Sequence, residues 1–199
     1  MRPSLRSSLA DAHYDAQEGP LLVTTPGQTV GPFFGYALPY AGGEQLVDRS
    51  HPDAIRLHGT VLDGAGDPVP DALLEIWQAD GAGRVSREPG SLHRDGYTFT
   101  GWGRAASDRT GTYSFTTVRP GATEPGHAPF IALTVLARGL LDRLFTRVYL
   151  PGQDFAADPL LSALPRERAE TLCAATDPEG LRFDVVLQGE RETVFLNHD

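Results

Sequence analysis

Histidine is the residue type in this chain with the widest choice of chemistry, since a neutral imidazole can ligate a metal or exchange a proton near neutral pH. The 199 residues include six histidines. None of them forms a close pair at the spacing of a metal site, so each is interpreted as a solvated or hydrogen-bonded side chain. His58 could line a cleft, because it faces away from Leu57, but a polar sheet face explains it equally well. The set is His13, His51, His58, His93, His127 and His198.

Carboxylates give no stronger signal of catalysis. Most of the notable aspartates stand in turns, where their side chains bond the local backbone. Glu75 differs because it lies inside the apolar run 73–77, beside Trp77. It either faces solvent or is buried with a partner such as an arginine, and this structural role is favoured over a catalytic one.

Two features of the composition exclude whole classes of function. All 17 basic residues are arginine, and without lysine the chain cannot form a Schiff base or a Walker-type phosphate loop. The net charge of -9 argues against a nucleic-acid partner. The apolar runs are too short for a membrane span, and residues 1–17 have no apolar core of a signal peptide, so we expect a cytoplasmic protein. The single Cys173 allows no internal disulfide.

The elements that would position these residues are short strands. From Ile55 onward, alternating runs separated by Gly, Pro and Asp predict an all-β sandwich or barrel. One helix is expected over 158–173, with Asp158 as its cap and a break at Pro165. The expected strands are 55–61, 73–77, 113–117, 131–137, 144–150, 181–187 and 193–196, of which 131–137 is the candidate central strand. This pattern alone names no reaction.

Five segments carry a resemblance to a known family. They are TPGQTVGPFF at 25–34, LHGTV at 57–61, PDALLEIWQAD at 70–80, TYSFTTVRPG at 112–121 and RFD at 182–184. In this order and over this length, the chain resembles the intradiol ring-cleavage dioxygenases from Thr25 to the C-terminus. The resemblance implies a two-sheet β-sandwich of the transthyretin-like type over 25–199, preceded by an N-terminal arm over 1–24.

The resemblance also implies a metal that this chain cannot hold. Catalytic chains of the family bind a non-haem Fe(III) through two tyrosines and two histidines. The matching positions here are Val85, Thr123, Phe130 and Ala132. None offers the phenolate or imidazole that ferric iron requires, so we expect no metal ligand and no autonomous catalysis on this chain.

Two further segments, 136–139 and 183–195, resemble the metal-free alpha chain of a two-chain family member. This implies a homologous beta subunit that carries the Fe(III), within a higher-order alpha/beta oligomer. Thr29, Gly31, Pro32 and Arg138 match alpha-chain positions that approach the substrate, and Arg138 would then offset a substrate carboxylate.

Two other functions are compatible with part of the sequence. An iron-independent binding or carrier module on a transthyretin-like sandwich would explain the missing ligands, but not the retained segment 29–32. A self-sufficient homo-oligomeric dioxygenase would need the ligands that are missing.

Overall fold

The computed structural model describes residues 27, 31, 33–88 and 94–197. Its contacts divide the chain into two units, Met1–Gly31 and Pro32–Asp199. The expected boundary between an arm over 1–24 and a domain over 25–199 lies outside the described residues. No helix in the described ranges is long and apolar enough to cross a membrane.

The second unit consists mainly of strands in two sheets, which confirms the all-β sandwich. In chain order, the elements are α1 (Phe34–Ala37), β1 (Ala54–Leu62), β2 (Leu73–Gln78), β3 (Trp102–Ala106), β4 (Thr112–Val118), β5 (Phe130–Leu136), β6 (Leu144–Tyr149), α2 (Pro159–Ala163), α3 (Arg166–Glu170), β7 (Ala175–Asp177), β8 (Gly180–Arg182) and β9 (Val185–Val186).

The first sheet has the strand order β4-β1-β8-β7, and β9 also pairs with β1. Alternation in β1 turns Leu57 and Val61 toward the core. Gly59 lies on the same strand and leaves no room for a side chain. A Cβ there would stand 1.8 Å from the carbonyl oxygen of Phe183. The close approach of the chain after β8 therefore requires glycine at this position.

The second sheet has the order β3-β2-β5-β6, with β5 inside the sheet as the sequence predicted. Ile131, Leu133 and Val135 of β5 are buried, while the residues between them are half-buried. Strands β2 and β5 run antiparallel, and Leu73 lies opposite Leu136. This register brings the residues just before β2 opposite those just after β5.

Three expectations about elements were wrong. The stretch 181–187 is not one strand, because it is interrupted at Asp184, whose carboxylate accepts a hydrogen bond from the Thr60 N–H at 2.9 Å. The stretch 193–196 is not a strand either, since it bonds in turn to Val186 in one sheet and Phe145 in the other. Strand β3 was missed, because its sequence WGRAA has only weak alternation. The expected helix is indeed broken at Pro165, into α2 and α3.

Candidate functional site

Arg138 stands just beyond the end of β5, at the edge of the second sheet. If the register in which Leu73 faces Leu136 is continued by two residues, Asp71 lies opposite Arg138. The side chains make this contact, with Arg138 Nη2 3.2 Å from Asp71 Oδ2. The antiparallel pairing of β2 and β5 thus brings a cation and a carboxylate together at one sheet edge.

An aromatic ring covers the same guanidinium. The Cζ of Arg138 lies 4.8 Å from the ring centroid of Phe33, a cation–π distance. Phe33 immediately precedes α1, and this helical turn packs on the backbone of Asp71: a Cβ on Gly35 would stand 2.6 Å from the Asp71 carbonyl oxygen. Three segments distant in sequence therefore meet around Arg138.

Within residues 33–88 and 94–197, the guanidinium of Arg138 keeps free donors for a ligand. The side chain of Arg138 is 55% exposed, whereas that of Asp71 is only 17% exposed. Within residues 33–88 and 94–197, Nε and Nη1 of Arg138 make no hydrogen bond. Nε and Nη1 point to different edges of the planar guanidinium, so each can donate a single charge-assisted hydrogen bond to a ligand carboxylate.

The other residues predicted to contact substrate are less well placed for a test. Gly31 has a φ of 70°, in the left-handed region that favours glycine. Thr29 and Pro32 lie outside the described residues. Their contact with a substrate stays a prediction.

The loops that carry Val85 and Thr123 contact each other. The N–H of Gly121 donates to the carbonyl of Asp80 at 2.8 Å, and a Cβ on Gly83 would stand 2.0 Å from the carbonyl oxygen of Ala122. Val85 itself is exposed and lines a cleft of about 970 Å³ between this loop pair and the start of β1. Thr123 is also exposed.

The other two positions, Phe130 and Ala132, lie on the outer side of β5, where Arg147 is their neighbour. Ala132 pairs with Arg147, whose Cζ lies 4.0 Å from the centroid of the Phe130 ring. A fixed guanidinium repels a metal cation, so the local charge and the side chains both oppose iron binding here. The residues at all four positions therefore do not fit a ferric ion.

Tyr149, which pairs with Phe130, is no substitute ligand. Burial raises the pKa of Tyr149 to about 12, against the lowering effect of Arg147. Its hydroxyl donates to Asp158 Oδ1 at 3.0 Å and stays protonated at neutral pH. Within the described ranges, no group of three or more His, Cys, Asp or Glu side chains could hold a metal ion.

Glu75 has the arginine partner that the sequence suggested. Its Oε1 accepts a hydrogen bond from Arg104 Nη2 at 2.6 Å. The same guanidinium lies 5.0 Å from the ring of Trp102, which is stacked on Tyr40. This group ties β2 and β3 to the segment after α1 and is structural.

His58 is buried on the outer face of β1 and is also structural. Its Nε2 lies 3.1 Å from Asp177 Oδ1. Burial acts to raise the pKa of Asp177, but hydrogen bonds from His58 and the Glu179 N–H outweigh it and hold that pKa below its ordinary value. The outer polar face of this sheet therefore accounts for His58.

Two residues of the Arg138 site were missed by reasoning from sequence, although both stood inside quoted motifs. Phe33 belongs to the segment 25–34, and Asp71 to the segment 70–80. The one available signal was an aspartate just before a predicted strand and an arginine just after another. Only the pairing of those strands shows that the two side chains meet.

The comparisons with known proteins define the class of protein. The family model described as "Dioxygenase" matches residues 30–189. The chain belongs to this family. Its relatives in the family are intradiol ring-cleaving dioxygenases, and the family is iron-dependent. The resemblance that the sequence motifs predicted is confirmed.

Particular relatives narrow this further. The chain is 40% identical to the protocatechuate 3,4-dioxygenase alpha chain of Burkholderia cepacia, over 88% of this chain and 98% of that one. It is 34% identical to the beta chain from the same organism, over 76% of this chain and 69% of that one. Among solved structures, the dioxygenase domain of a dioxygenase carbohydrate-binding fusion from Streptomyces sp. SirexAA-E matches with a TM-score of 0.56 and 28% identity, covering 83% of this chain and 98% of that one.

Proposed function

We propose that this chain is the alpha subunit of a protocatechuate 3,4-dioxygenase and that a homologous beta subunit holds the Fe(III). The observation that carries the proposal is the retained family fold combined with the side chains at Val85, Thr123, Phe130 and Ala132, none of which suits ferric iron. The higher identity to an alpha chain than to a beta chain supports the same assignment.

The alpha/beta complex would cleave the ring of protocatechuate between its two hydroxylated carbons. Both atoms of O2 would enter the product, 3-carboxy-cis,cis-muconate. This reaction would be a step of aromatic catabolism by the β-ketoadipate pathway in the cytoplasm. This chain would contribute no catalytic residue. Its part would be a pocket wall from Thr29, Gly31 and Pro32, recognition of the carboxylate, and assembly.

Arg138 is the residue that would recognise the substrate carboxylate. Its Cζ lies 4.8 Å from the centroid of the Phe33 ring, and its Nε and Nη1 make no hydrogen bond within residues 33–88 and 94–197. A charge-assisted hydrogen bond from one of these donors would distinguish protocatechuate from catechol, which has the same two hydroxyls but no carboxylate.

Exposed apolar side chains support a role in assembly. Within the described residues, Tyr36, Trp77, Tyr97 and Leu141 are all more than half exposed. Such residues favour burial against a partner chain. Residues 25–199 would form one sandwich domain and residues 1–24 an arm. The beta subunit would cover the exposed apolar side chains in a higher-order oligomer.

Purification with and without the beta subunit tests the division of labour. We expect iron, the visible charge-transfer band and ring cleavage in the complex, with iron in proportion to beta. Stoichiometric iron and visible absorbance in this chain alone would contradict the proposal.

The substitution Arg138→Ala in the complex tests the recognition of substrate. Loss of a charge-assisted hydrogen bond costs about 1.5–3 kcal/mol, so kcat/KM for protocatechuate should fall roughly ten- to a hundredfold. The value for catechol should change little. Arg143→Ala is a matched control, since Arg143 is also an exposed arginine stacked on a phenylalanine, at 5.3 Å from the Phe145 centroid. Equal losses for both substrates with intact iron content would show that Arg138 serves structure or assembly.

A further inference from the structure

We infer that Asp71 is the positioning residue for Arg138: it holds the guanidinium on the face of Phe33 through one nitrogen, and it thereby sets the preference of the complex for a catechol that carries a carboxylate. This inference rests on the proposed function, because it concerns the arginine assigned there to substrate recognition. The structure assigns the role to Asp71 through its backbone, its carboxylate and the guanidinium that it contacts.

The backbone of Asp71 is held in a conformation that is unfavourable for its residue type. Its φ of 59° makes it the single non-glycine residue with positive φ in the described part of the chain. Aspartate tolerates this region better than most residues, but glycine adopts it without cost. The helical turn packed through Gly35 on the Asp71 carbonyl keeps the backbone in place. A strained residue where glycine would be relaxed suggests that its side chain is needed.

The carboxylate of Asp71 depends on Arg138. Its Oδ2 lies 3.2 Å from Arg138 Nη2, while its Oδ1 is buried and has no hydrogen-bond partner among the described residues. A carboxylate that is mostly buried and only half satisfied would be left uncompensated if the guanidinium moved away. Arg138 is therefore expected to keep this contact when substrate binds, and not to exchange Asp71 for the substrate.

The guanidinium of Arg138 is restrained from two sides. Asp71 accepts a hydrogen bond from one nitrogen at 3.2 Å, and the guanidinium carbon lies over the Phe33 ring at 4.8 Å from its centroid. Within residues 33–88 and 94–197, Nε and Nη1 have no acceptor, so one of them can donate to the substrate carboxylate. An arginine that is already ordered loses no rotamer freedom when the substrate binds. This entropic gain outweighs the screened repulsion between the substrate carboxylate and Asp71, whose charge is already paired with Arg138.

The test uses the assembled alpha/beta complex with the substitution Asp71→Asn. Asparagine has nearly the same shape and also tolerates positive φ, so the fold is preserved while the charge is removed. We expect the KM for protocatechuate to rise about three- to tenfold, with kcat changed less than twofold and both constants for catechol unchanged. Calorimetric titration with 4-hydroxybenzoate, a carboxylate that cannot be cleaved, should show the same factor in Kd.

A second variant, Asp71→Gly, separates positioning from stability. Glycine relieves the backbone strain, so the melting temperature should be unchanged or higher, while KM for protocatechuate should rise as in Asp71→Asn. The control is Glu179→Gln, which removes a carboxylate paired with Arg56 on the other sheet. This control should leave the KM and kcat for both substrates unchanged.

The outcomes separate this inference from the proposed function. If Arg138→Ala lowers the use of both substrates equally, the assignment of Arg138 fails, and the role of Asp71 fails with it. If Arg138→Ala is selective but Asp71→Asn leaves KM unchanged or lowers it, only the positioning role is overturned, and Asp71 is neutral or competes with substrate. If both Asp71 variants melt early and lose both substrates in parallel, Asp71 is structural and the inference is also overturned.

Discussion

Replacement of Asp158 by alanine should strongly destabilise the chain, because this one buried carboxylate accepts hydrogen bonds from several segments. Asp158 is 1% exposed and caps α2. Its Oδ1 accepts hydrogen bonds from the N–H groups of Leu160 and Leu161 and from the Tyr149 hydroxyl, at 3.0, 3.1 and 3.0 Å. Its Oδ2 accepts one from the Ala128 N–H at 3.2 Å. One side chain therefore joins a helix, a strand and a loop.

The magnitude follows from the donors that lose their acceptor. A buried donor left unsatisfied costs about 1–3 kcal/mol, and neighbouring losses are not additive, so Asp158→Ala should cost about 3–5 kcal/mol of unfolding free energy. For a chain of this size, that corresponds to a drop of roughly 10 °C in melting temperature. Asp158→Asn keeps one oxygen but directs an amide group at the Ala128 N–H, and should cost about 1–2 kcal/mol.

The pH dependence of the Asp158→Asn effect provides a second test. Burial acts to raise the pKa of Asp158, but the hydrogen bonds from Leu161, Tyr149, Ala128 and Leu160 outweigh it and hold the pKa below its ordinary value of 3.8. A carboxylate with a lowered pKa in the folded state stabilises the fold above the unfolded-state pKa, and this contribution is lost as pH falls through the folded-state pKa. The difference between wild type and Asp158→Asn should therefore be constant from about pH 5 to 7 and should shrink below about pH 4.

Melting curves and hydrogen exchange on the assembled protein measure both effects, with exchange read at the amides of Ala128, Leu160 and Leu161. The matched control is Asp154→Asn, four residues earlier, where an exposed carboxylate accepts from the Ala156 N–H at 3.0 Å. This control should change stability by less than about 0.5 kcal/mol. The reasoning is refuted if Asp158→Ala melts within about 2 °C of the control, or if its amides exchange no faster.

Two further substitutions test close contacts in the fold. Gly83→Ala should cost about 3 kcal/mol of unfolding free energy, because its Cβ would stand 2.0 Å from the Ala122 carbonyl oxygen. The control Gly152→Ala, with a similar φ but open space around the Cβ, should cost only about 1 kcal/mol. Equal shifts in melting temperature would contradict the steric explanation. Tyr113→Phe should lose about 1–2 kcal/mol, since the buried hydroxyl donates to the Phe183 carbonyl at 2.6 Å; urea unfolding measures this, and an unchanged midpoint would show that the bond adds no net stability.

Local sequence determined much of the secondary structure. Alternation in β1 depends on side chains two residues apart, and the cap at Asp158 and the break at Pro165 depend on their immediate neighbours. The expectation that Val85, Thr123, Phe130 and Ala132 hold no ferric iron rests in the same way on side-chain type alone. Such features were predictable because each depends on residue type or on a few adjacent residues.

Only the tertiary structure decided what surrounds Arg138. Asp71 is 67 residues away in sequence, and the contact exists because β2 and β5 pair antiparallel in one particular register. A register shifted by one residue would turn the facing side chains to the opposite face, and no local pattern specifies it. Phe33 reaches the same guanidinium because its helical turn packs through Gly35 on the strand end. Strand pairing and packing between distant segments are set by the whole core, so the partners of a single arginine could not be derived from its neighbours in sequence.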